Sequence, residues 1–319
     1  AMMRAEVTMR IIMRVTFAAA LTAAISMTGS TDDKPEAKPE VEVVAHRGAS
    51  AVAPENTLAA FKLARELGAD WFELDCATCK SGEVVVMHDN SVDRTTDGKG
   101  KLIDLTLDEI KKLDAGSWKD EKYASERVPT LTEALAECGP EIGCYVEIKQ
   151  ASTDMALGNL LGKLGKDRLR RDAEFAKAFI AAVKDSPNTK LARAVTKVIR
   201  GTQEEANVVV QSFSPIVCGV VAIEAPELKV ELLGGGRTAG SWEGYYRWLL
   251  LFDFGGVNTS KEALTEGRLN VLQSAGKSCA VYTVDEADDI RRLAGWGVNR
   301  IITNKPDECL EQLKKLGKH

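Results

Sequence analysis

The residues of this 319-residue chain best suited to chemistry fall into a few short runs. They are His46-Arg47-Gly48, Pro54-Glu55-Asn56-Thr57, Glu73-Leu74-Asp75, His88-Asp89 and Glu147-Ile148-Lys149. In a strand, side chains two positions apart share a face, so Glu73 pairs with Asp75 and Glu147 with Lys149. Three carboxylates converging on one point repel each other unless positive charge lies among them. Either Arg47 and Lys149 supply it as ion pairs, or a hard divalent cation with oxygen ligands does. Mg2+ or Ca2+ suits an all-oxygen set; zinc prefers nitrogen or sulfur. The chain has three histidines, His46, His88 and His319. The first two end apolar runs beside charged residues, and two imidazoles facing one phosphate can serve as general base and general acid. His319 is expected on a loose C-terminal tail, with no role.

These residues need a scaffold that brings distant runs together. Short β-branched runs alternate with helical stretches, the pattern of a parallel sheet covered by helices. Strands are expected at 42–46, 71–76, 143–148, 207–211, 229–233, 255–258, 278–283 and 299–303. Helices are expected at 57–67, 214–225, 261–275 and 286–295, with Asp285 and Glu286 as an acidic first turn for the last. Eight such strands make an α/β TIM (β/α)8 barrel, and the chemistry-bearing residues sit at their C-terminal ends, where barrel sites are built. Residues 77–130 break the alternation and read as a small insertion, with a hairpin at 83–87 and a short helix near 107–113. Residues 151–206 read as helical and charged, longer than one covering helix requires.

A net charge of −5 argues against nucleic-acid binding but not against a phosphate-bearing substrate met by local cations. Arg4, Arg10 and Arg14, an apolar run over 15–27 and small residues to Ser30 have the form of a secretory signal peptide, too short to span a membrane. No cysteine follows that run to carry a lipid anchor. Residues 31–40 read as a polar linker and the mature domain starts near Val41. An exported protein, periplasmic or secreted, is expected. Seven cysteines suit an oxidising compartment; Cys138 and Cys144 flank a turn that a disulfide could close, while buried free thiols fit equally well.

Taken in order, these runs resemble the motifs of the glycerophosphodiester phosphodiesterase family. Asp93-Arg94-Thr95-Thr96, Gln211-Ser212-Phe213 and the closing Ile301-Ile302-Thr303-Asn304-Lys305-Pro306-Asp307 extend the likeness to nearly the whole mature chain. The resemblance implies metal-dependent hydrolysis of a glycerophosphodiester to glycerol 3-phosphate and an alcohol. It assigns Glu73, Asp75 and Glu147 to one divalent metal, His46 and His88 to acid/base catalysis, and Arg47 and Lys149 to the phosphate. Glu55 would support the metal or the glycerol end, and residues 88–128 would form a cap over that end. Gln211, Phe213 and Tyr282 would line the pocket.

Tyr282 and Asp285 depart from the family, which often carries Trp and Asn there, and these departures bear on substrate breadth. A barrel acting on intact phospholipids is the nearer alternative, and a non-catalytic phosphate-ligand binder the farther one. Gly234-Gly235-Gly236-Arg237 lacks the Lys-Ser/Thr of a phosphate loop and reads as a turn with Arg237 near the mouth. Trp242, Tyr245, Tyr246 and Trp248 read as packing residues of a barrel insertion rather than a lipid-contacting patch.

Overall fold

The computed structural model describes residues 40–152, 172–202, 207–235 and 238–319. The signal-peptide reading, nearly all of the linker and Arg237 lie outside the described residues. Among the described residues nine strands form one sheet: β1 Glu42–Ala45, β2 Trp71–Thr78, β3 Val84–Val86, β4 Gly143–Ile148, β5 Val208–Ser212, β6 Lys229–Gly234, β7 Gly256–Ser260, β8 Ser278–Tyr282 and β9 Arg300–Thr303. Eight of them are parallel neighbours, and pairing of β1 with both β2 and β9 closes the ring. The fold is a TIM barrel. β3 is the addition, an antiparallel return along β2 that pairs Cys76 with Val86.

Parallel register fixes which residues meet at the mouth. Asp75 of β2 lies beside Glu147 of β4, and Glu147 beside Gln211 of β5. Three polar side chains from three adjacent strands thus stand at one level of the barrel. The alternate positions face the helices and are apolar: Val43, Phe72, Leu74, Val146, Val210 and Ile301 are fully buried there, while Val44, Tyr145, Val209, Ala280 and Ile302 form a separate cluster inside the barrel.

The covering helices follow from their apolar faces and caps. α1 (Leu58–Glu66) buries Ala60, Phe61 and Ala64, and the Thr57 hydroxyl accepts from the Ala60 amide at its start. The insertion contributes α2 (Leu107–Ile110), and α3 (Leu131–Leu135) follows; Thr106 with Glu109 and Thr130 with Glu133 form capping boxes. Val85, Met87, Val92, Leu102, Ile110, Ala115 and Val128 make a second, smaller core, so the insertion packs on itself. α4 (Ala173–Val183) and α5 (Pro187–Thr202) precede β5. The other covering helices are α6 (Pro215–Glu224), α7 (Ala239–Phe252), α8 (Glu266–Ser274), α9 (Ala287–Trp296) and α10 (Pro306–Lys315).

Four expectations change. The helix expected from residue 261 starts at Glu266, because Thr265 is its N-cap, accepting from the Arg268 amide. Lys261 instead reaches Asp289 at 2.8 Å. The aromatic run 242–248 lies on α7, an ordinary covering helix and not an insertion. There Trp242 is buried beneath the Arg268 guanidinium, and Trp248 stacks on Phe252. His319 is not loose: its Nε2 lies 3.0 Å from Asp70 Oδ2 at the foot of the barrel. Asp285 is not a first-turn acid of α9, whose first turn carries Asp288 and Asp289; its carboxylate turns towards β9.

Gly48 ties the mouth to α1. Its φ is +78°, and a Cβ there would stand 2.6 Å from the Ala60 backbone carbon. Gly48→Ala adds a left-handed strain to an overpacked contact, about 2–4 kcal/mol together. We expect a clearly lower urea midpoint; a midpoint equal to wild type would show that α1 can shift freely.

Candidate active site

The site is built on the loop between β1 and α1. Arg47 and Asn56 both adopt left-handed backbone, φ 56° and 60°, which is costly for residues with a Cβ. The Asn56 amide donates to the Arg47 carbonyl at 3.0 Å, locking the loop on itself. The turn points the Arg47 backbone N–H at Glu73 Oε2, 3.0 Å away. Asn56 grips Asp75 twice: its Nδ2 donates to Oδ2 at 2.9 Å, and its Oδ1 accepts from the Asp75 amide at 3.2 Å. The strain is thereby held in place by bonds to the carboxylate pair.

Glu73, Asp75 and Glu147 are buried and offer one oxygen each within 4.8 Å of one another. Arg47 Nε stands 3.2 Å from Asp75 Oδ2, and Lys149 Nζ lies 3.3 Å from Asp75 Oδ1 and 2.8 Å from Glu147 Oε1. Burial resists ionisation of Asp75, but the charges of Lys149 and Arg47 outweigh it and hold its carboxyl below the ordinary range. The other two are under-compensated. Burial and the neighbouring carboxylates raise Glu73 well above its ordinary value, and burial with the Asp75 charge pushes Glu147 up to about 7. Two cations therefore do not neutralise the three acids, and the residues present fit a divalent metal with oxygen ligands.

A carboxyl raised from 4.5 unfolded to about 7 folded costs stability as pH rises through that interval, because only the folded chain retains the proton there. We expect the metal-free protein to lose thermal stability between pH 4.5 and 7, and a millimolar divalent cation to restore it at pH 7–8. A flat, metal-insensitive melting temperature across that range would contradict the site.

His46, at the end of β1, and His88, just after β3, line one cleft of about 180 Å3 together with Arg47, Glu73, Glu147, Lys149 and Gln211. They are held differently. His46 Nδ1 lies 2.7 Å from Asn304 Oδ1. Burial and the Arg47 charge depress its pKa below the ordinary histidine value, partly offset by that hydrogen bond. His88 Nδ1 lies 2.7 Å from Asp89 Oδ1. Arg94 donates to Asp89 Oδ2 through Nε at 2.7 Å, and its hydrogen bonds take Asp89 down to about 2.

Arg94 also makes two 2.8 Å bonds to Glu55, and Arg47 a third to the same carboxylate. Burial opposes ionisation of Glu55, yet these two guanidiniums hold it charged. Glu55 is thus the bridge between the insertion and the mouth rather than a member of the acidic cluster.

Gln211 Nε2 donates to Glu73 Oε1 at 3.2 Å and joins the carboxylates more directly than a pocket-lining role requires. Phe213 is 48 % exposed and meets Tyr282 edge-on at 6.2 Å, forming an aromatic corner of the cleft. Cys138 and Cys144 are free thiols and do not close the turn between them with a disulfide. From sequence, Asn304, Asp89 and Arg94 stand only as motif members, and Asp285 only as a helix-start acid and a departure from the family. The further sequence signal is position: Asp285, Asn304 and Asp89 fall shortly past the C-terminal ends of β8, β9 and β3.

The sequence matches the profile of the Glycerophosphoryl diester phosphodiesterase family over residues 46–308. It is 32% identical to a glycerophosphodiester phosphodiesterase of Bacillus subtilis, covering 83% of each chain. Its identity to a glycerophosphodiester phosphodiesterase of Caldanaerobacter subterraneus is 36%, over 86% of this chain and 98% of that one. A solved Oleispira antarctica phosphodiesterase, in complex with its product sn-glycerol-3-phosphate, superposes with a TM-score of 0.70 at 24% identity, over 86% of this chain and 97% of that chain. With the barrel, the ordered motifs and matches of this extent together, the chain belongs to the glycerophosphoryl diester phosphodiesterase family of hydrolases.

Proposed function

We propose that this enzyme hydrolyses glycerophosphodiesters to glycerol 3-phosphate and a free alcohol, using His46 as general base and His88 as general acid. The observation that carries the assignment is the unequal support of the two rings. His46 faces a neutral amide and its pKa is depressed, so the ring is unprotonated near neutrality and can accept a proton at Nε2. His88 faces a carboxylate that stays charged, which suits a ring that carries a proton to the leaving alkoxide. Arg47 and Lys149 border the same cleft and can take phosphate oxygens. When bound at Glu73, Asp75 and Glu147, Mg2+ or Ca2+ would neutralise the acids and polarise a phosphoryl oxygen. The proton taken by His46 comes from water or from the neighbouring glycerol hydroxyl; the second route passes through a cyclic phosphate that water then opens.

The test is release of glycerol 3-phosphate from glycerophosphocholine and glycerophosphoethanolamine, with and without EDTA, beside His46→Ala. Metal-dependent release that the variant lacks supports the reading; no release from either diester by the metal-replete wild type rejects it. Trapping of a cyclic phosphate distinguishes the two attack routes.

A small polar diester suits the cleft better than an intact phospholipid does. Most of the cleft residues are charged or polar, among them His46, Arg47, Glu73, His88, Glu147 and Lys149, and Phe213 is the one large, exposed apolar side chain there. The enzyme is further proposed to be exported, on the strength of its N-terminal sequence; the mature N-terminus of secreted or periplasmic material, found near residues 31–41, would support this. Among the described residues no helix is long and apolar enough to cross a membrane.

A further inference from the structure

We infer that Asn304, held by Asp285, is the positioning residue that fixes His46 as the Nδ1–H tautomer and so presents Nε2 to the substrate. The inference rests on the two-histidine reading above and deepens it. Its basis is hydrogen-bond direction. An amide side chain has a donating and an accepting end, and distance alone does not say which is which. Here the surroundings decide. Asn304 Nδ2 lies 2.7 Å from Asp285 Oδ2, and a carboxylate accepts, so the nitrogen must stand there. The Asn304 backbone amide and the Thr303 hydroxyl donate to Asp285 Oδ1 at 2.8 and 2.9 Å, which immobilises the carboxylate.

The Asn304 carbonyl oxygen is then left facing His46 Nδ1 at 2.7 Å and the Ser50 hydroxyl at 3.0 Å. An oxygen in that position accepts, so Nδ1 must carry the hydrogen. The backbone holds the ring in register, since the His46 amide donates to the Thr303 carbonyl at 2.8 Å. The tautomer of the base is therefore dictated by an aspartate that does not touch it.

The arrangement also keeps negative charge one residue removed from the ring. Asp285 stands behind the amide, whereas the paired imidazole His88 meets its aspartate directly. The other charged groups around His46 are Arg47 and Glu55 of its own loop and Asp75 of β2, with Glu73, His88, Glu147 and Lys149 lining the same cleft. None of these replaces Asn304 at Nδ1 in the hydrogen-bond pattern.

Two variants test the inference, with glycerophosphocholine as substrate in the metal-replete full chain. Asn304→Leu removes the acceptor; kcat should fall by about 10²-fold or more while KM stays within a few-fold, as expected for loss of a correctly poised base. The exchange variant Asp285→Asn with Asn304→Asp preserves the hydrogen-bonding atoms but places the charge on the ring. It should regain turnover at high pH, with the acid limb of its kcat/KM profile moved upward by about one to three pH units, because a contacting anion favours the imidazolium. Nitrogen-15 spectra of the histidine-labelled protein should show His46 as Nδ1–H in wild type and lose that preference in Asn304→Leu.

Wild-type kcat in folded Asn304→Leu, an unmoved acid limb in the exchange variant, or an Nε2–H His46 in wild type would each overturn the inference. If the wild type turns over no glycerophosphodiester, the catalytic reading fails, and the spectrum alone still decides the tautomer.

Discussion

Asp75→Asn is expected to abolish most metal affinity and to lower kcat/KM by roughly 10³-fold, since a bound cation contributes several kcal/mol and each 1.36 kcal/mol is tenfold. Asp75 is the member of the acidic cluster on which everything else converges. Its carboxylate takes Asn56 Nδ2 at 2.9 Å, stands 3.2 Å from Arg47 Nε and lies 3.3 Å from Lys149 Nζ. An asparagine fits the space, and its oxygen can still accept from Asn56. Its amide nitrogen must then face Lys149, a donor set against a donor, and the two half-buried cations Arg47 and Lys149 lose their shared counter-charge. Calorimetric titration with Mg2+ or Ca2+ beside steady-state kinetics checks this. Wild-type affinity in the variant would remove Asp75 from the ligand set and leave it a structural ion-pair partner of Arg47 and Lys149.

His88→Ala is expected to lower kcat by about 10²–10⁴-fold on glycerophosphocholine, the range for loss of a positioned general acid. On an aryl phosphodiester, whose leaving group departs without needing a proton, the loss should be small. His46→Ala, removing the proposed base, should impair both substrates. The contrast follows from the support of each ring. Asp89 sits at about 2 because Arg94 bonds it through two nitrogens, so it faces His88 as an anion throughout the working pH range. Equal losses on both substrates in His88→Ala would exchange the two roles or make His88 a binding residue.

The barrel was legible because its signals are local. β-Branched runs of fixed length mark strands, and the run 143–148 coincides with β4 because Gly143 and the charged pair Glu147/Lys149 bound an apolar core. Helix starts were less legible. The apolar pattern after β7 extends back to 261, but Thr265, accepting from Arg268, sets the true boundary. The aromatic run 242–248 shows the same limit, because composition reveals large rings without revealing that Trp242 lies under Arg268.

At the mouth, residue type and strand alternation determined by themselves that Glu73, Asp75 and Glu147 could gather, since alternation and parallel register are short-range geometry. What tertiary structure alone decided is how each group is held. The bond from His46 to Asn304 joins residues 258 apart, and Arg94 reaches Glu55 across 39. Asp285, by position an acid of a helix start, is instead the anchor of the Asn304 amide, because β8 and β9 end side by side. Hydrogen-bond direction depends on which partners surround both ends of a side chain, and those partners come together only when the barrel closes.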